Sequence, residues 1–230
     1  MNKDLKIAAV IPAAGVGSRM QLSYPKQYLK IAEKTVLQHT QEKLSQLNYL
    51  SHLAIAVSAD DPYFATLNLQ DERIVKVIGG ETRADSVLNA LRALQADAPD
   101  WVLVHDAARP LVTVADIDNL VQSCLAADEG GILAAKVKDT IKRGTSHIET
   151  TVPRDTLWQA LTPQFFRFNE LLQALTDAKQ AGSEITDEAS AMERLGYPVR
   201  LVAGRSDNIK ITSPEDYELA CFLLTKTGKV

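Results

Sequence analysis

The chain has 230 residues, 46% of them hydrophobic, and this length is enough for one buried core in an α/β protein. Its formal net charge of -4 excludes the broad basic surface that draws proteins onto nucleic acid, so we expect no nucleic-acid partner. No apolar stretch approaches the roughly 20 residues that cross a bilayer, so we expect a soluble cytoplasmic protein with no membrane partner. Cys124 and Cys221 lie in apolar helical segments and are predicted to be reduced thiols.

Short, nearly continuous apolar runs recur along the chain and predict strands that are buried on both faces. Segments with helical periodicity separate them, and Thr113 with Asp116 and Ser213 with Asp216 predict capping boxes at two helix starts. This alternation predicts a single α/β domain over residues 1–230, with a Rossmann-like, mostly parallel, doubly wound sheet. The predicted strands are residues 7–11, 53–57, 74–78, 101–104, 131–137 and 199–202.

The segment 138–157 breaks this alternation. It is polar, rich in threonine and β-branched residues, and carries Gly144 near its middle, which predicts two strands around a turn. Such a hairpin has too little apolar surface to be stable alone. We therefore expect it to protrude as an arm that packs on something else, with a second subunit as one candidate.

The loop after the first predicted strand has the composition of an anion site. Its small residues and glycines let backbone N–H groups approach a phosphate, and Arg19 adds a charged fork. The P-loop pattern is absent, and Met20 stands where the dinucleotide fingerprint needs a third glycine or alanine. A tight strand-to-helix turn without a ligand remains the alternative. The loop reads Pro12, Ala13, Ala14, Gly15, Val16, Gly17, Ser18, Arg19, Met20.

Two charged residues extend this candidate site. Lys26 follows Pro25, which favours an ordered loop close to the phosphate site, although a lone lysine is more often a solvated charge. Asp106 follows the predicted strand 101–104 and could meet Mg²⁺ or a nucleotide hydroxyl. Arg109 is a further candidate for ligand binding, or else a partner that pairs with Asp106 to shape the turn. His105 is predicted to be a packed structural histidine.

Two more clusters lie after predicted strands. In the first, Gly80 permits close backbone approach, while Arg83 and Ser86 could reach a base or ribose. A helix cap formed by Thr82 and Asp85 explains part of the same segment equally well. In the second, Lys210 is a candidate for a substrate phosphate, and Asp207 is a second candidate metal ligand, although an ordinary polar loop is the alternative.

Eight segments in a fixed order carry a resemblance to a known family. They are PAAGVGSRM, PKQYL, GGETRADSV, VLVHDAARP, VKDTIKR, TVPRDTLWQALTPQ, ITDEASAME and GRSDNIKIT. Over nearly the whole chain they resemble the 2-C-methyl-D-erythritol 4-phosphate cytidylyltransferases of the non-mevalonate isoprenoid pathway. The resemblance implies that CTP and 2-C-methyl-D-erythritol 4-phosphate react to 4-diphosphocytidyl-2-C-methyl-D-erythritol and pyrophosphate, with Mg²⁺ as the cofactor.

The resemblance also implies roles for individual residues. Arg19 and Lys26 match transition-state stabilisers, whereas Arg154 and Lys210 match residues that hold the methylerythritol phosphate, with Thr140 beside them. Asp106 matches an aspartate near substrate and metal. Glu81 stands where the family often has aspartate, so no contact is assigned to it. The residues that match positions around the cytidine nucleotide are Ala13, Ala14, Gly15, Gly80, Arg83, Ser86 and Ala107.

The resemblance implies a homodimer as well, because in the family the segment that holds Thr140 and Arg154 reaches into the partner subunit. Segment 138–157 is therefore expected to be a dimerisation arm. A phosphate nucleophile is already ionised near neutral pH, so the reaction needs positioning and electrostatic stabilisation more than a general base. The absence of an obvious catalytic histidine agrees with that chemistry.

Other functions remain open from the sequence. A cytidylyltransferase for ribitol 5-phosphate or another polyol phosphate shares several of these patterns, although HDAARP, TDEASAME and GRSDN favour methylerythritol phosphate. A non-catalytic nucleotide-binding module is an alternative of another class, since fold alone does not fix function. A nicotinamide-dependent oxidoreductase is disfavoured by the missing third glycine.

Overall fold

A computed structural model describes residues 5–15 and 24–226, and most of its strands lie in one seven-stranded sheet. The strands are β1 (Ile7–Pro12), β2 (Lys30–Ile31), β3 (Lys34–Thr35), β4 (Leu50–Val57), β5 (Ile74–Ile78), β6 (Trp101–Val104), β7 (Gly130–Lys136), β8 (Ile141–Gly144), β9 (Ile148–Val152), β10 (Trp158–Arg167) and β11 (Val199–Ala203). The helices are α1 (Val36–Ser45), α2 (Arg83–Leu94), α3 (Val114–Ala127), α4 (Phe168–Gln180), α5 (Glu188–Arg194) and α6 (Pro214–Lys226).

The main sheet has the order β11-β7-β10-β6-β1-β4-β5. All neighbouring pairs are parallel except those of β10, which runs antiparallel to both β6 and β7. The prediction of an α/β fold with a mostly parallel sheet is therefore confirmed. Among the described residues, no helix combines the length and the apolar character needed to span a membrane.

The central strand β1 shows why its sequence is apolar without interruption. Its residues from Ile7 to Ile11 are fully buried because both faces of the sheet are covered. Ile7, Ala9 and Ile11 point into a core that includes α1 and α3, whereas Ala8 and Val10 point into a second core formed with α2, α4 and α5. The two cores hold the strand ends in place from both sides.

The strand β10 was missed by the sequence prediction. Its ten residues lie in the middle of the sheet, but the run contains Pro163, which cannot donate a backbone hydrogen bond to a neighbouring strand. The register of β10 against β7 shifts between Ala160 and Gln164, and Pro163 lies within that irregularity. The bound of β4 also differs from the prediction, because this strand begins at Leu50 rather than at Leu53.

Two of the predicted helix caps are reciprocal. Thr82 and Asp85 form a capping box at α2. At the start of α6, the Ser213 N–H donates to the Asp216 carboxylate and the Asp216 N–H donates to the Ser213 hydroxyl. The capping box predicted at Thr113 is only half formed. The Thr113 hydroxyl accepts from the Asp116 N–H as predicted, but the Asp116 carboxylate accepts from the Thr113 hydroxyl and not from the Thr113 backbone. That helix start therefore satisfies one backbone donor fewer.

The predicted hairpin is present between β7 and β10. Its strands β8 and β9 pair with each other in a sheet of their own. Almost every side chain from 138 to 157 is exposed, and Ile148 at its tip is 67% exposed. The hairpin thus projects from the sheet with little apolar cover from its own chain.

Candidate active site

A cavity of about 630 Å³ opens where the parallel strands β1, β5 and β6 end. This size suits a nucleotide, and the carboxyl ends of the strands are where open α/β sheets bind their ligands. The cavity gathers residues from four loops and the start of α2. Its walls consist of Pro12, Ala13, Ala14, Gly15, Lys26, Gln27, Gly80, Glu81, Thr82, Arg83, Ser86, Asp106, Ala107, Ala108, Lys210 and Thr212.

The loop after β1 begins on fixed anchors. The Ala13 N–H donates to the carbonyl of Ala56 at 2.7 Å, and the side chain of Gln27 donates to the carbonyl of Ala13 at 2.6 Å. Gln27 is buried, so it joins the PKQ turn to the start of the loop. The predicted cation Arg19 lies outside the described residues.

The turn after β5 packs tightly against that loop. A Cβ on Gly79 would lie 2.5 Å from the Cβ of Ala14, so a side chain there would separate the two loops. A Cβ on Gly80 would lie 2.3 Å from the Cβ of Asp85 at the start of α2. The Gly80 N–H donates to the Ser86 hydroxyl at 3.0 Å, which fixes the cavity wall from the first turn of that helix.

Asp106 lies at the centre of a cluster of cations. Its Oδ1 accepts from Arg83 Nε at 2.7 Å, and its Oδ2 lies 2.7 Å from Lys210 Nζ. Arg109 Nε is 3.8 Å from the same Oδ2, which is too long for a hydrogen bond. The predicted pair between Asp106 and Arg109 therefore exists only as a loose ion pair, and Arg83 and Lys210 are the close partners.

The charge states of this cluster follow from burial and pairing. Burial alone would raise the pKa of the Asp106 carboxyl, but Arg83 and Lys210 outweigh it and hold the pKa well below its usual range. Burial lowers the pKa of Arg83, but Glu188 and Asp106 raise it by more. The pKa therefore lies above its ordinary value, and the guanidinium remains charged. Asp106 is therefore ionised at neutral pH.

A second, smaller cavity of about 270 Å³ shares a wall with the first. Arg83, Asp106 and Lys210 line both cavities. The remaining lining of the smaller cavity comes from the turn after β6, from β10 and from the segment before α5: Arg109, Ala160, Leu161, Thr162, Gln164, Thr186 and Asp187. Two ligands could therefore meet across one charged boundary.

His105 has a structural role. It is fully buried, with Nε2 3.1 Å from the Arg109 carbonyl and Nδ1 2.9 Å from the Thr162 hydroxyl. A carbonyl can only accept, so Nε2 carries the proton and Nδ1 accepts from Thr162. Burial lowers the pKa of His105 to about 4, and the ring is neutral at physiological pH. The prediction of a packed histidine is confirmed.

Lys26 contacts the backbone of the residue that follows Lys210. The Lys26 ammonium donates to the carbonyl of Ile211 at 2.7 Å, directly after Lys210 in sequence. The two lysines thus lie on the same side of the larger cavity although 184 positions separate them in the chain. Two cationic side chains therefore line the larger cavity.

Three predicted site residues lie away from both cavities. Thr140 is exposed at the base of the hairpin, and the Arg154 guanidinium donates there to the carbonyl of Lys138. Asp207 is paired with Arg205 in a polar loop. Among residues 5–15 and 24–226, no group of three or more histidine, cysteine or acidic side chains could hold a metal ion.

Four residues around the site received no role from the sequence. Gln27 and Thr162 contact the loop and the cavity boundary, whereas Glu188 and Asn208 hold the arginines. All four lie within the segments that carry the family resemblance, which was the available signal. Their functions depend on contacts across the sheet, and a single sequence does not reveal such contacts.

The mostly parallel sheet and the two polar cavities at its strand ends are the arrangement expected of an α/β nucleotidyltransferase. Similarity to known proteins agrees: a family model described as 2-C-methyl-D-erythritol 4-phosphate cytidylyltransferase matches residues 7–226. A protein of that name from Pseudoalteromonas translucida (strain TAC 125) is 63% identical over 226 residues, covering 98% of this chain and 94% of the relative. The chain therefore belongs to the 2-C-methyl-D-erythritol 4-phosphate cytidylyltransferase family.

Further relatives support the same family. The cytidylyltransferase of Vibrio cholerae is 54% identical over 224 residues, covering 96% of this chain and 97% of that protein. The crystal structure of a 4-diphosphocytidyl-2C-methyl-D-erythritol synthase has a TM-score of 0.83 at 37% identity, covering 97% of this chain and all of that one. The crystal structure of the 2-C-methyl-D-erythritol 4-phosphate cytidylyltransferase from Francisella tularensis has a TM-score of 0.81 at 35% identity. The match covers 95% of this chain and 99% of that one.

Proposed function

We propose that this enzyme transfers the cytidylyl group of CTP to the phosphate of 2-C-methyl-D-erythritol 4-phosphate in isoprenoid precursor biosynthesis. Family membership supports the substrates. The observation that carries the proposal is the shared wall of Arg83, Asp106 and Lys210 between a larger and a smaller cavity. CTP occupies the larger cavity, the polyol phosphate occupies the smaller one, and the reacting phosphates meet at the boundary.

The reaction forms one bond and breaks one. An oxygen of the acceptor phosphate attacks the α-phosphorus of CTP, and the bond between the α-phosphorus and the oxygen bridging to the β-phosphate breaks. Pyrophosphate leaves with that oxygen, and no proton has to be removed from the nucleophile. Lys26 and Lys210, together with Arg19, stabilise the negative charge that gathers on the crowded phosphoryl centre. His105 is excluded as a base because both its nitrogens are engaged.

The smaller cavity suits a polyol. Arg109 Nε is buried without a hydrogen-bond acceptor among the described residues, and Arg109 lines this cavity. A buried donor without a partner is costly, so an acceptor hydroxyl of a bound ligand would stabilise it. Asp106 offers carboxylate oxygens to the same space. We assign Arg109 and Asp106 to the hydroxyl groups of the acceptor.

Mg²⁺ is proposed as a cofactor that arrives with the triphosphate. Mg²⁺ typically uses one or two carboxylates together with substrate phosphates, so a dedicated protein cage is not required. Asp106 fits as a single ligand, because it lines the larger cavity, although Arg83 and Lys210 already neutralise it. When bound, the ion would screen phosphate charge. Asp207 is the less favoured ligand, since Arg205 pairs with it.

The metal proposal predicts that EDTA abolishes turnover and that added Mg²⁺ restores it. Titrations of Mg²⁺ against the rate then compare Asp106→Asn with Asp207→Asn. A raised half-saturating Mg²⁺ concentration in Asp106→Asn alone supports Asp106 as the ligand. The same change in Asp207→Asn alone would move the metal to that loop.

We further propose a homodimer in which each hairpin completes the partner's site. The exposed hairpin supports this, because β8 and β9 have little apolar cover, and Ile148 projects from the tip. In one chain Arg154 and Thr140 lie outside both cavities, so we expect these residues to enter the site of a second chain.

We also propose a cytoplasmic location. The free thiols of Cys124 and Cys221 agree with it, because disulfides are rare in the cytosol.

The proposed reaction is tested by measuring pyrophosphate release from CTP with each of two acceptors. We expect efficient turnover with 2-C-methyl-D-erythritol 4-phosphate and much lower kcat/KM with ribitol 5-phosphate. Preference for ribitol 5-phosphate would overturn the acceptor assignment. CTP binding without turnover on any polyol phosphate would instead identify a nucleotide-binding module.

A further inference from the structure

Glu188 is a buried carboxylate that reaches the active-site wall from behind. It lies at the first position of α5 and is fully buried. Its Oε1 accepts from Arg83 Nη1 at 2.7 Å and its Oε2 from Arg83 Nη2 at 2.9 Å. Glu188 lines neither cavity, whereas Arg83 lines both. The carboxylate thus acts on the site through one arginine.

The first turn of α5 holds Glu188 in place. Asp187 caps this helix by accepting from the Ser190 N–H at 3.0 Å. Gln164 of β10 makes two hydrogen bonds to the same turn. Its side chain donates to Asp187 Oδ2 and accepts from the Ala189 N–H, each at 2.9 Å. Because β10 is a central strand of the sheet, the position of Glu188 is set by the core.

The bidentate pair fixes the orientation of the Arg83 guanidinium. With both Nη atoms directed at Glu188, Nε is left to face Asp106 at 2.7 Å. A planar guanidinium has five N–H donors, and these bonds use three of them. Without Glu188, the Nη atoms would be free to turn onto Asp106 or onto a phosphate. Asp106 would then lose its present alignment with Lys210.

We propose that Glu188 is a positioning residue for the transfer reaction. It holds Arg83 across the boundary between the two cavities, so that Asp106 and Lys210 are aligned before the substrates bind. The inference rests on the proposed function, because it concerns the boundary where the two phosphates react. It predicts that Glu188 contributes to turnover through Arg83 alone.

A double-mutant cycle tests that prediction with Glu188→Gln, Arg83→Gln and the double variant. Glutamine preserves the size of Glu188 but not its charge, and misplacement of Arg83 is expected to lower kcat by about 10- to 100-fold. CTP affinity is measured by calorimetry as well, and because Arg83 lines the larger cavity, any loss in Glu188→Gln should not exceed the loss in Arg83→Gln. Glu193→Gln, an exposed glutamate on the same helix, is the matched control and should retain wild-type kinetics.

The cycle separates positioning from general stabilisation. If Glu188 acts through Arg83, the double variant has the same kcat/KM as Arg83→Gln alone, because no further effect remains to be lost. Independent effects that multiply in the double variant would overturn the proposal. Wild-type kcat in Glu188→Gln would also overturn it.

Two controls keep the test decisive. Thermal unfolding and circular dichroism establish that each variant is folded, and if Glu188→Gln does not fold, the cycle is run with Glu188→Asp under the same criterion. Aspartate keeps the charge but is one methylene shorter, so it should weaken the bidentate contact. Wild-type turnover of CTP and the polyol phosphate is measured first, so that failure of the proposed function is distinguished from failure of the role of Glu188.

Discussion

The charged boundary between the cavities and the hairpin formed by β8 and β9 are opposite kinds of structure. Asp106 and Glu188 are buried; Asp106 is held by Arg83 and Lys210, and Glu188 by Arg83, each with a closest approach of 2.7 Å. The hairpin is almost entirely exposed, and the Arg154 guanidinium donates to the carbonyl of Lys138 at its base. The charged boundary is assembled within a single chain. The hairpin carries charged side chains such as Arg154, which line neither cavity.

We expect this difference to correspond to a division of roles in the proposed reaction. Alignment at a phosphoryl centre requires groups that do not reorganise, and buried ion pairs beside the strand ends provide such groups. Capture of a second phosphate can be left to an exposed segment, because a guanidinium gains most of its interaction energy from the phosphate itself. We therefore expect changes in the body to lower turnover and changes in the hairpin to weaken acceptor use.

The largest expected effect follows from removing a cation that lines the larger cavity. Lys26→Ala should lower kcat by about 100-fold or more, because the ammonium stabilises charge that develops in the transition state. The dissociation constant of CTP should change far less. Lys34→Ala is the matched control, since Lys34 pairs with Glu42 on the surface. A weaker CTP affinity together with an unchanged kcat in Lys26→Ala would contradict the assigned role.

A change in the hairpin should have a different kinetic signature. Arg154→Ala is expected to lower kcat/KM for the polyol phosphate by about 10- to 100-fold, as expected for loss of a charge-assisted phosphate contact. CTP binding measured by calorimetry should remain at the wild-type level. Arg143→Ala, another exposed arginine of the hairpin, is the control. A loss of CTP affinity in Arg154→Ala would place this residue at the nucleotide instead.

A smaller effect concerns the pH dependence of the protein's stability. The pKa of folded His105 lies at about 4, below its ordinary 6.5, because the ring is buried. Between these values the unfolded chain gains a proton that the folded chain does not, so the free energy of unfolding falls as pH is lowered. This residue contributes roughly 1 kcal/mol per pH unit to that slope, and His105→Gln should remove it.

Urea denaturation of His105→Gln and wild type at several values between pH 4 and 6.5 measures the two slopes. His147→Gln, on the exposed hairpin, controls for the loss of a histidine at the surface and should alter the free energy of unfolding by no more than about 0.5 kcal/mol. Equal slopes in His105→Gln and wild type would mean that burial does not hold the His105 ring neutral.

The sequence predicted the parts of this molecule that depend on local pattern. Apolar runs such as β1 were found because burial on both faces leaves no polar position. The hairpin was found because its composition differs from its surroundings. The strand β10 was missed because Pro163 is a signal against a central strand, and only the tertiary register shows how that residue is accommodated.

The candidate site was predicted to a similar extent. Residues that follow strand ends, including Asp106 and Lys210, could be placed together because carboxyl ends of parallel strands share one edge of a sheet. The partners of these residues could not be. Arg83 and Glu188 are 105 positions apart, and their contact depends on how α5 packs beside β10.

The division between body and hairpin is tested most directly by mixing inactive subunits. Purified heterodimers of Lys26→Ala and Arg154→Ala chains, carrying different tags, should recover about half of the wild-type rate, because one of the two sites combines an intact body with an intact arm. Each parent homodimer should stay near its own low rate. Heterodimers no more active than their parents, or a chain that remains monomeric at working concentrations, would contradict the account.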